Sequence, residues 1–215
     1  MKEFYIFIFV FLGVALLTMS FQCNKDHPAP RPTYEYAEKL TLTPYGKSYA
    51  VNDTIWVQFQ TADKTLFDKL SSNRISTDTT FLRVQFNFHR RYPIGNTVEL
   101  FSDVRVENAL DVSYASLYTY YNVLDFKTDC GNNRYFFRIG FVPKKIGVYS
   151  IEPNGNVSPC PNKVSFPYTA FKFTFDLADC NKDVWLSIPP QSRSGELGHT
   201  DVSIDKKEMF VFKVE

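Results

Sequence analysis

The sequence predicts an all-β protein, an antiparallel β-sandwich of about nine short strands. Apolar and polar residues alternate along many short segments, which is the pattern of strands with one buried face. Turn residues separate these segments at short intervals, a spacing that argues against alternating βα units. Aromatic residues make up 17% of the chain, with 21 Phe and 13 Tyr, and such side chains favour strands.

An apolar segment precedes the strands. Residues 6–17 are uninterruptedly apolar, a length that suits a signal peptide, because a transmembrane helix needs about 20 apolar residues. The stretch from Phe4 to Cys23, which contains this segment, resembles the lipoprotein signals of the Bacteroidota, although Phe21 and Gln22 are large where the stricter pattern has small residues. The resemblance implies that residues 1–22 are a signal peptide and that Cys23 is lipidated. An ordinary cleaved signal and an uncleaved N-terminal anchor are the alternatives.

The rest of the chain divides into a tether and a domain. Residues 23–35 contain several prolines, which predicts an extended tether after the lipidated cysteine. Residues 36–215 are expected to form one elaborated sandwich; two small sandwiches that meet near residues 108–111 are the second interpretation. A lipid anchor at Cys23 would hold this domain on a membrane. We expect this to be the outer membrane of the cell envelope, and either its periplasmic or its surface side fits the sequence.

The first half of the domain contains the clearest alternation. Residues 39–60 comprise a strand, a Pro–Gly turn and a second strand, and they resemble the opening of an immunoglobulin-like sandwich. Residues 65–70 fit one or two helical turns. Residues 80–89 and 97–106 both alternate, and the Pro–Gly turn between them predicts a hairpin. Trp56 is expected to fill the core.

The second half continues the strand pattern. We expect strands over residues 114–126, 135–141, 148–151, 171–177 and 209–214. Residues 183–188 fit a short helix. The segments 153–167 and 191–200 are predicted to be loops.

The cysteines permit one disulfide in the domain. Besides Cys23, the chain has Cys130, Cys160 and Cys180, and an exported protein meets conditions in which disulfides form. If residues 134–142 and 147–151 formed a hairpin, Cys130 and Cys160 would lie at the same end of it. The sequence therefore predicts a Cys130–Cys160 disulfide and a free or buried Cys180.

Candidate chemistry is sparse. His199 lies near two carboxylates and could ligate a metal, but a solvated loop is the preferred interpretation. The tyrosines at 118, 120 and 121 could stack on sugar rings, although core packing is preferred. His89 with the two arginines that follow could bind an anion, but a solvated strand end is expected. The sequence contains no recognised catalytic or phosphate-binding motif, and no cofactor or metal is expected.

The sequence predicts only a broad functional class for this protein. A formal net charge of +1 argues against nucleic acid as a partner. We expect a lipid-anchored envelope protein, a non-catalytic binding or structural module for a protein or glycan partner. A glycan-acting hydrolase whose residues converge only in the fold is the alternative.

Overall fold

The structure of the chain is a computed structural model that describes residues 33–93, 101–118, 121–163, 169–193 and 197–215. These residues are mostly strand, arranged in two sheets that pack together, so the predicted all-β sandwich is confirmed. One compact unit spans Pro32–Glu215. The predicted signal peptide, Cys23 and most of the tether lie outside the described residues.

The first sheet, here called sheet I, has the strand order β5-β4-β1-β3-β10-β7, and β12 pairs with β1. Its strands are β1 (Tyr34–Thr43), β3 (Ile55–Gln60), β4 (Thr65–Asp68), β5 (Asn73–Ser76), β7 (Phe101–Glu107), β10 (Phe136–Pro143) and β12 (Thr169–Phe175).

The second sheet, here called sheet II, has the order β2-β13-β11-β6-β9-β8. Its strands are β2 (Ser48–Tyr49), β6 (Thr80–Tyr92), β8 (Leu110–Tyr118), β9 (Tyr121–Lys127), β11 (Gly147–Pro159) and β13 (Phe210–Val214).

Two short helices connect β12 to β13. They are α1 (Lys182–Leu186) and α2 (Leu197–Asp205), with a 3-10 turn at Pro190–Ser192 between them. The buried Trp185 of α1 donates its indole N–H to an Asp201 carboxylate oxygen of α2, 2.8 Å away. The predicted short helix is thus present, whereas part of the predicted loop 191–200 is helical.

Two predicted hairpins are wrong. Strand β6 pairs with β9 and β11, whereas β7 pairs with β10, so the strands near residues 80–89 and 97–106 lie in opposite sheets. Strands β10 and β11 are also in opposite sheets. Alternation reports which face of a strand is buried, but it does not report which neighbour the strand pairs with.

The described residues form more strands than predicted, and two strand pairs are parallel. Thirteen strands occur in the described residues, because β2, β4 and β5 are short and residues 114–126 divide between β8 and β9. The segment expected to be helical, residues 65–70, contributes β4 instead. Strands β1 and β12 are parallel, as are β2 and β13.

Aromatic rings join the two sheets in the core. Phe137 of sheet I contacts Phe86 and Phe126 of sheet II, with ring centroids 6.1 and 5.1 Å away. It also contacts Phe59 and Phe173 of its own sheet. All five rings are buried, and edge-to-face pairs add about 0.5–1.5 kcal/mol each to what burial contributes. Phe137 is therefore the centre of the interface between the sheets.

Candidate functional site

Three shallow pockets lie in a row on the sheet II side of the molecule. Their volumes are about 220, 310 and 330 Å³. Neighbouring pockets share lining residues, Asn154 and Gly155 in one case and Arg83 and Asp125 in the other, so the three form one continuous depression. We call it the polar groove. It is lined by Phe81, Arg83, Gln85, Asp111, Ser113, Asp125, Phe126, Lys127, Glu152, Pro153, Asn154, Gly155, Asn156, Phe171, Lys172, Phe173 and Glu208.

Strand register aligns the polar side chains of the groove. Ser113, Asp125, Gln85 and Asn154 are successive cross-strand partners on β8, β9, β6 and β11. Their neighbours along β6, such as Val84, point into the core, because side chains alternate between the two faces of a strand. Adjacent strands are about 4.8 Å apart, so the row presents a polar group at each strand spacing.

Ion pairs hold the charged groups of the groove in place. Arg83 donates through Nη2 to Oδ2 of Asp125 at 2.8 Å, and its Nε lies 3.2 Å from Oδ1. Lys127 pairs with Asp111 in the same part of the groove. These pairs are exposed to solvent and add little stability. Their effect is to fix where the carboxylate and guanidinium groups point.

The far end of the groove has an apolar floor. Gly155 of β11 lies against Phe171 and Phe173 of β12, and a Cβ added at residue 155 would come within 2.9 Å of both rings. The missing side chain therefore lets the two aromatic residues fill this corner. Lys172 and Glu208 pair at 2.8 Å on its rim.

Part of this site was not predicted, because β11 is longer than the predicted strand. Residues 153–159 belong to the segment 153–167 that was expected to be a loop, but they continue the strand and pair with β6. Strand β13 pairs with residues 147–151, so in the described part of the chain both prolines, Pro153 and Pro159, lie beyond the paired segment on that side of β11. Proline is tolerated at such an edge because no ladder hydrogen bond is lost. The outward side chains of β6, in contrast, were predicted from its alternation.

The residues singled out in the sequence do not converge on one site. Trp56 is half-buried on the outer face of sheet I, where the Arg138 guanidinium lies 3.9 Å from its ring centroid, so the expected core position is wrong. His89 is half-buried on β6, away from the residues that line the groove. His199 lies in α2 and Tyr118 at the end of β8, but their side chains are outside the described part of the structure.

In the groove, the hydrogen bond to Asp125 raises the pKa of Arg83. Two buried ionisable groups with shifted pKa values, Glu38 and Lys64, lie away from the groove and have structural partners. Burial raises the pKa of Glu38, although its carboxylate accepts from the Phe67 N–H at 2.8 Å and from Arg74 at 3.0 Å. Burial lowers the pKa of Lys64, whose ammonium donates to the carbonyl oxygens of Thr80 and Asp129. The hydrolase alternative therefore gains no support from these two groups.

Comparison with known proteins identified no similar protein. No protein-family profile, no curated protein and no solved structure matches the chain. Within the described ranges, no three His, Cys, Asp or Glu side chains are placed to share a metal ion. No helix in that part of the chain is both long and apolar enough to span a bilayer.

Proposed function

We propose that this chain is a lipid-anchored cell-envelope protein whose sandwich binds a glycan non-catalytically through the polar groove. The observation that carries the proposal is the continuous row of hydrogen-bonding side chains across β8, β9, β6 and β11. Sugar hydroxyls both donate and accept hydrogen bonds, and a site for them needs both kinds of group. Amide side chains offer both, carboxylates accept, and guanidinium groups donate.

The charge of the groove favours a neutral glycan. Its lining contains three cations, Arg83, Lys127 and Lys172, and four carboxylates, Asp111, Asp125, Glu152 and Glu208, which gives a formal charge of −1. A site for phosphate or polyanionic chains would present an excess of positive charge. The near balance therefore favours hydroxyl groups over anions.

Aromatic residues lie near both ends of the groove. Phe81 lines one end and Phe171 the other, and both are half-buried. The apolar face of a sugar ring can pack on an aromatic face, while its hydroxyls reach the amides and ion pairs between them. The side chains of the tyrosines at 118, 120 and 121 lie outside the described residues, so both roles considered for them stay predictions.

A glycan array tests the class of ligand. We expect the purified protein to be retained by neutral envelope polysaccharides and not by sulfated or phosphorylated ones. The control is the double variant Lys39→Ala/Thr41→Ala, which changes exposed residues of sheet I and should bind as wild type does. Retention by anionic glycans alone, or by proteins and no glycan, would contradict the proposal.

The anchor is a separate part of the proposal. It is supported by the apolar segment at residues 6–17 and by Cys23, which follows shortly after it, and the acyl chains would hold the domain on a bilayer without a membrane-binding face. Metabolic labelling with a fatty-acid analogue should modify the wild type and leave Cys23→Ala unlabelled. Equal labelling of both, or of neither, would contradict lipidation at this residue.

A further inference from the structure

The polar groove runs across the strands of sheet II. Ser113, Asp125, Gln85 and Asn154 lie on four neighbouring strands, so three strand spacings separate the first residue from the last. At about 4.8 Å each, these spacings give a row about 14 Å long. A single sugar ring is much shorter than this row. The groove is therefore long enough for an oligosaccharide.

A second row of polar side chains lies beside the first. Asn156, Arg83 and Lys127 are cross-strand partners on β11, β6 and β9, and each lies two positions along its strand from a member of the first row. Residues two positions apart on a strand point to the same face and are about 7 Å apart. All three line the groove, so a chain between the rows meets hydrogen-bonding groups on both of its edges.

The groove is shallow, which limits what one sugar can contribute to binding. A pocket that binds a small ligand by itself buries most of the ligand surface. In the groove, in contrast, Ser113, Asn154 and Lys172 are exposed, so a bound sugar keeps one side in solvent. Each hydrogen bond to such a sugar strengthens binding by only about two- to tenfold. High affinity therefore requires several linked sugars that bind together.

Exposed side chains form both ends of the groove in the described part of the chain. Ser113 lies at the β8 end and Lys172 at the β12 end, and neither is buried under a neighbouring element. A chain longer than the groove can therefore continue past these residues. A site for a chain terminus would instead enclose the last sugar. The groove thus fits the interior of a chain better than its end.

We propose that the polar groove binds the interior of a linear neutral glycan that lies across the strands, with one sugar on each of β8, β9, β6 and β11. This inference rests on the proposed function and adds the length and the direction of the ligand. A sugar in an extended chain advances by about the width of one strand, so successive sugars meet successive members of each row. The shortest ligand that fills the groove therefore has about four sugars.

Calorimetric titration with oligosaccharides of graded length tests this inference. The probes are β-1,4-linked gluco-, manno- and xylo-oligosaccharides of increasing length up to the hexasaccharide, and length-fractionated fragments of any neutral polysaccharide that the glycan array retains. In a series that binds, we expect the affinity to rise by about two- to tenfold with each sugar up to about four, and then to change little. Reduction of the terminal sugar of the hexasaccharide to its alditol should leave the affinity unchanged.

Two matched variants test the order of the sugars along the row. Ser113→Ala removes a group at the β8 end, so it should weaken binding of the tetrasaccharide more than binding of the trisaccharide, which can occupy the other three strands. Gln85→Ala removes a group inside the row and should weaken binding of both to the same extent. Both side chains lie on the outer face of sheet II, so both variants should keep the wild-type unfolding midpoint in urea.

The outcomes separate this inference from the proposed function. Equal affinity for a single sugar and a hexasaccharide, loss of binding after conversion to the alditol, or the same effect of Ser113→Ala on both lengths would overturn the inference. Each of these results would still leave the groove a glycan site. If no neutral glycan bound, on the array or in the titrations, the proposed function would be wrong and the inference would fall with it.

Discussion

Cys130 and Cys160 are bonded because they follow two strands that flank β6 on opposite sides. Strands β9 and β11 both run antiparallel to β6 and end beside its first residues. The Cys160 N–H donates to the Thr79 carbonyl oxygen, 2.8 Å away, which fixes one side of this junction. The Cα atoms of the two cysteines are 6.0 Å apart, a separation typical of disulfides. The bond thus ties together three neighbouring strands at one end of sheet II.

Removal of this bond should destabilise the domain. The cysteines are 30 residues apart, and closing a loop of that size stabilises a protein by about 3–4 kcal/mol through the entropy of the unfolded chain. We expect Cys130→Ser/Cys160→Ser to lower the free energy of unfolding by about that amount in urea titrations. Wild type treated with reductant should behave in the same way.

Cys180 supplies the control for this experiment. It is free and buried, and burial raises the pKa of its thiol to about 12. Cys180→Ala should retain the full effect of reductant on stability. A peptide map that shows a Cys160–Cys180 linkage, or an unfolding midpoint that reductant does not move, would contradict the assignment.

The disulfide was predicted from the sequence, but the reason given for it was wrong. The expected hairpin of residues 134–142 and 147–151 does not exist, since β10 and β11 lie in different sheets. The predicted disulfide is nevertheless present, because β9 and β11 end at the same end of sheet II. Strand direction can be deduced from the order of turns, whereas the sheet to which a strand belongs depends on long-range packing.

Gly140 should not tolerate a side chain. A Cβ at residue 140 would lie 2.8 Å from the Trp56 ring, which the Arg138 guanidinium also contacts. We expect Gly140→Ala to lower the free energy of unfolding by about 1–3 kcal/mol, because the indole must move. Gly131→Ala is the matched control, since its Cβ would be 3.5 Å from the nearest atom, in Asp129. Equal midpoints for both variants in urea would contradict this packing.

Alkaline pH should destabilise the domain through buried tyrosines. Burial raises the pKa of Tyr49 to about 12, and its hydroxyl donates to the Pro44 carbonyl oxygen at 2.7 Å. The unfolded-state pKa is about 10, so this contribution is fully present below pH ~10 and is lost as the pH rises towards about 12. Each unit of pKa difference corresponds to about 1.4 kcal/mol. Tyr49 should therefore cost about 2–3 kcal/mol of stability over that range.

The variant Tyr49→Phe isolates this effect. At neutral pH it should lose about 1 kcal/mol with the hydrogen bond to Pro44. Between pH 10 and 12 its stability should then fall less steeply than that of wild type. Tyr92→Phe, at a partly exposed residue, should keep the wild-type slope. Parallel stability curves for wild type and Tyr49→Phe in urea titrations would contradict the assignment.

The sequence predicted the fold class and the buried faces better than it predicted pairing. Leu82, Val84, Phe86 and Phe88 were expected to face inward on one strand, and all four are fully buried. The alternation of apolar and polar residues along a strand is enough to predict which side chains are buried. Which strands become neighbours depends on how the whole core fills, and no local pattern along β6 or β7 encodes it.

The candidate site was only partly visible in the sequence. Arg83 and Gln85 were expected on the outward face of their strand, but nothing marked them as a site. Their partners Asp125 and Asn154 are 42 and 69 positions away from Arg83 and Gln85 along the chain and come together only through register. The second half of β11, from Pro153 onwards, was predicted to be a loop.

The most direct test of the central claim is the dissociation constant of one neutral envelope glycan for variants of the groove. We expect Asn154→Ala/Asn156→Ala to weaken binding by about 5- to 150-fold, because each lost hydrogen bond contributes about 0.5–1.5 kcal/mol. Lys39→Ala/Thr41→Ala on sheet I should leave the constant unchanged. If the groove variant bound as wild type does while the sheet I variant lost affinity, the polar groove would not be the binding site.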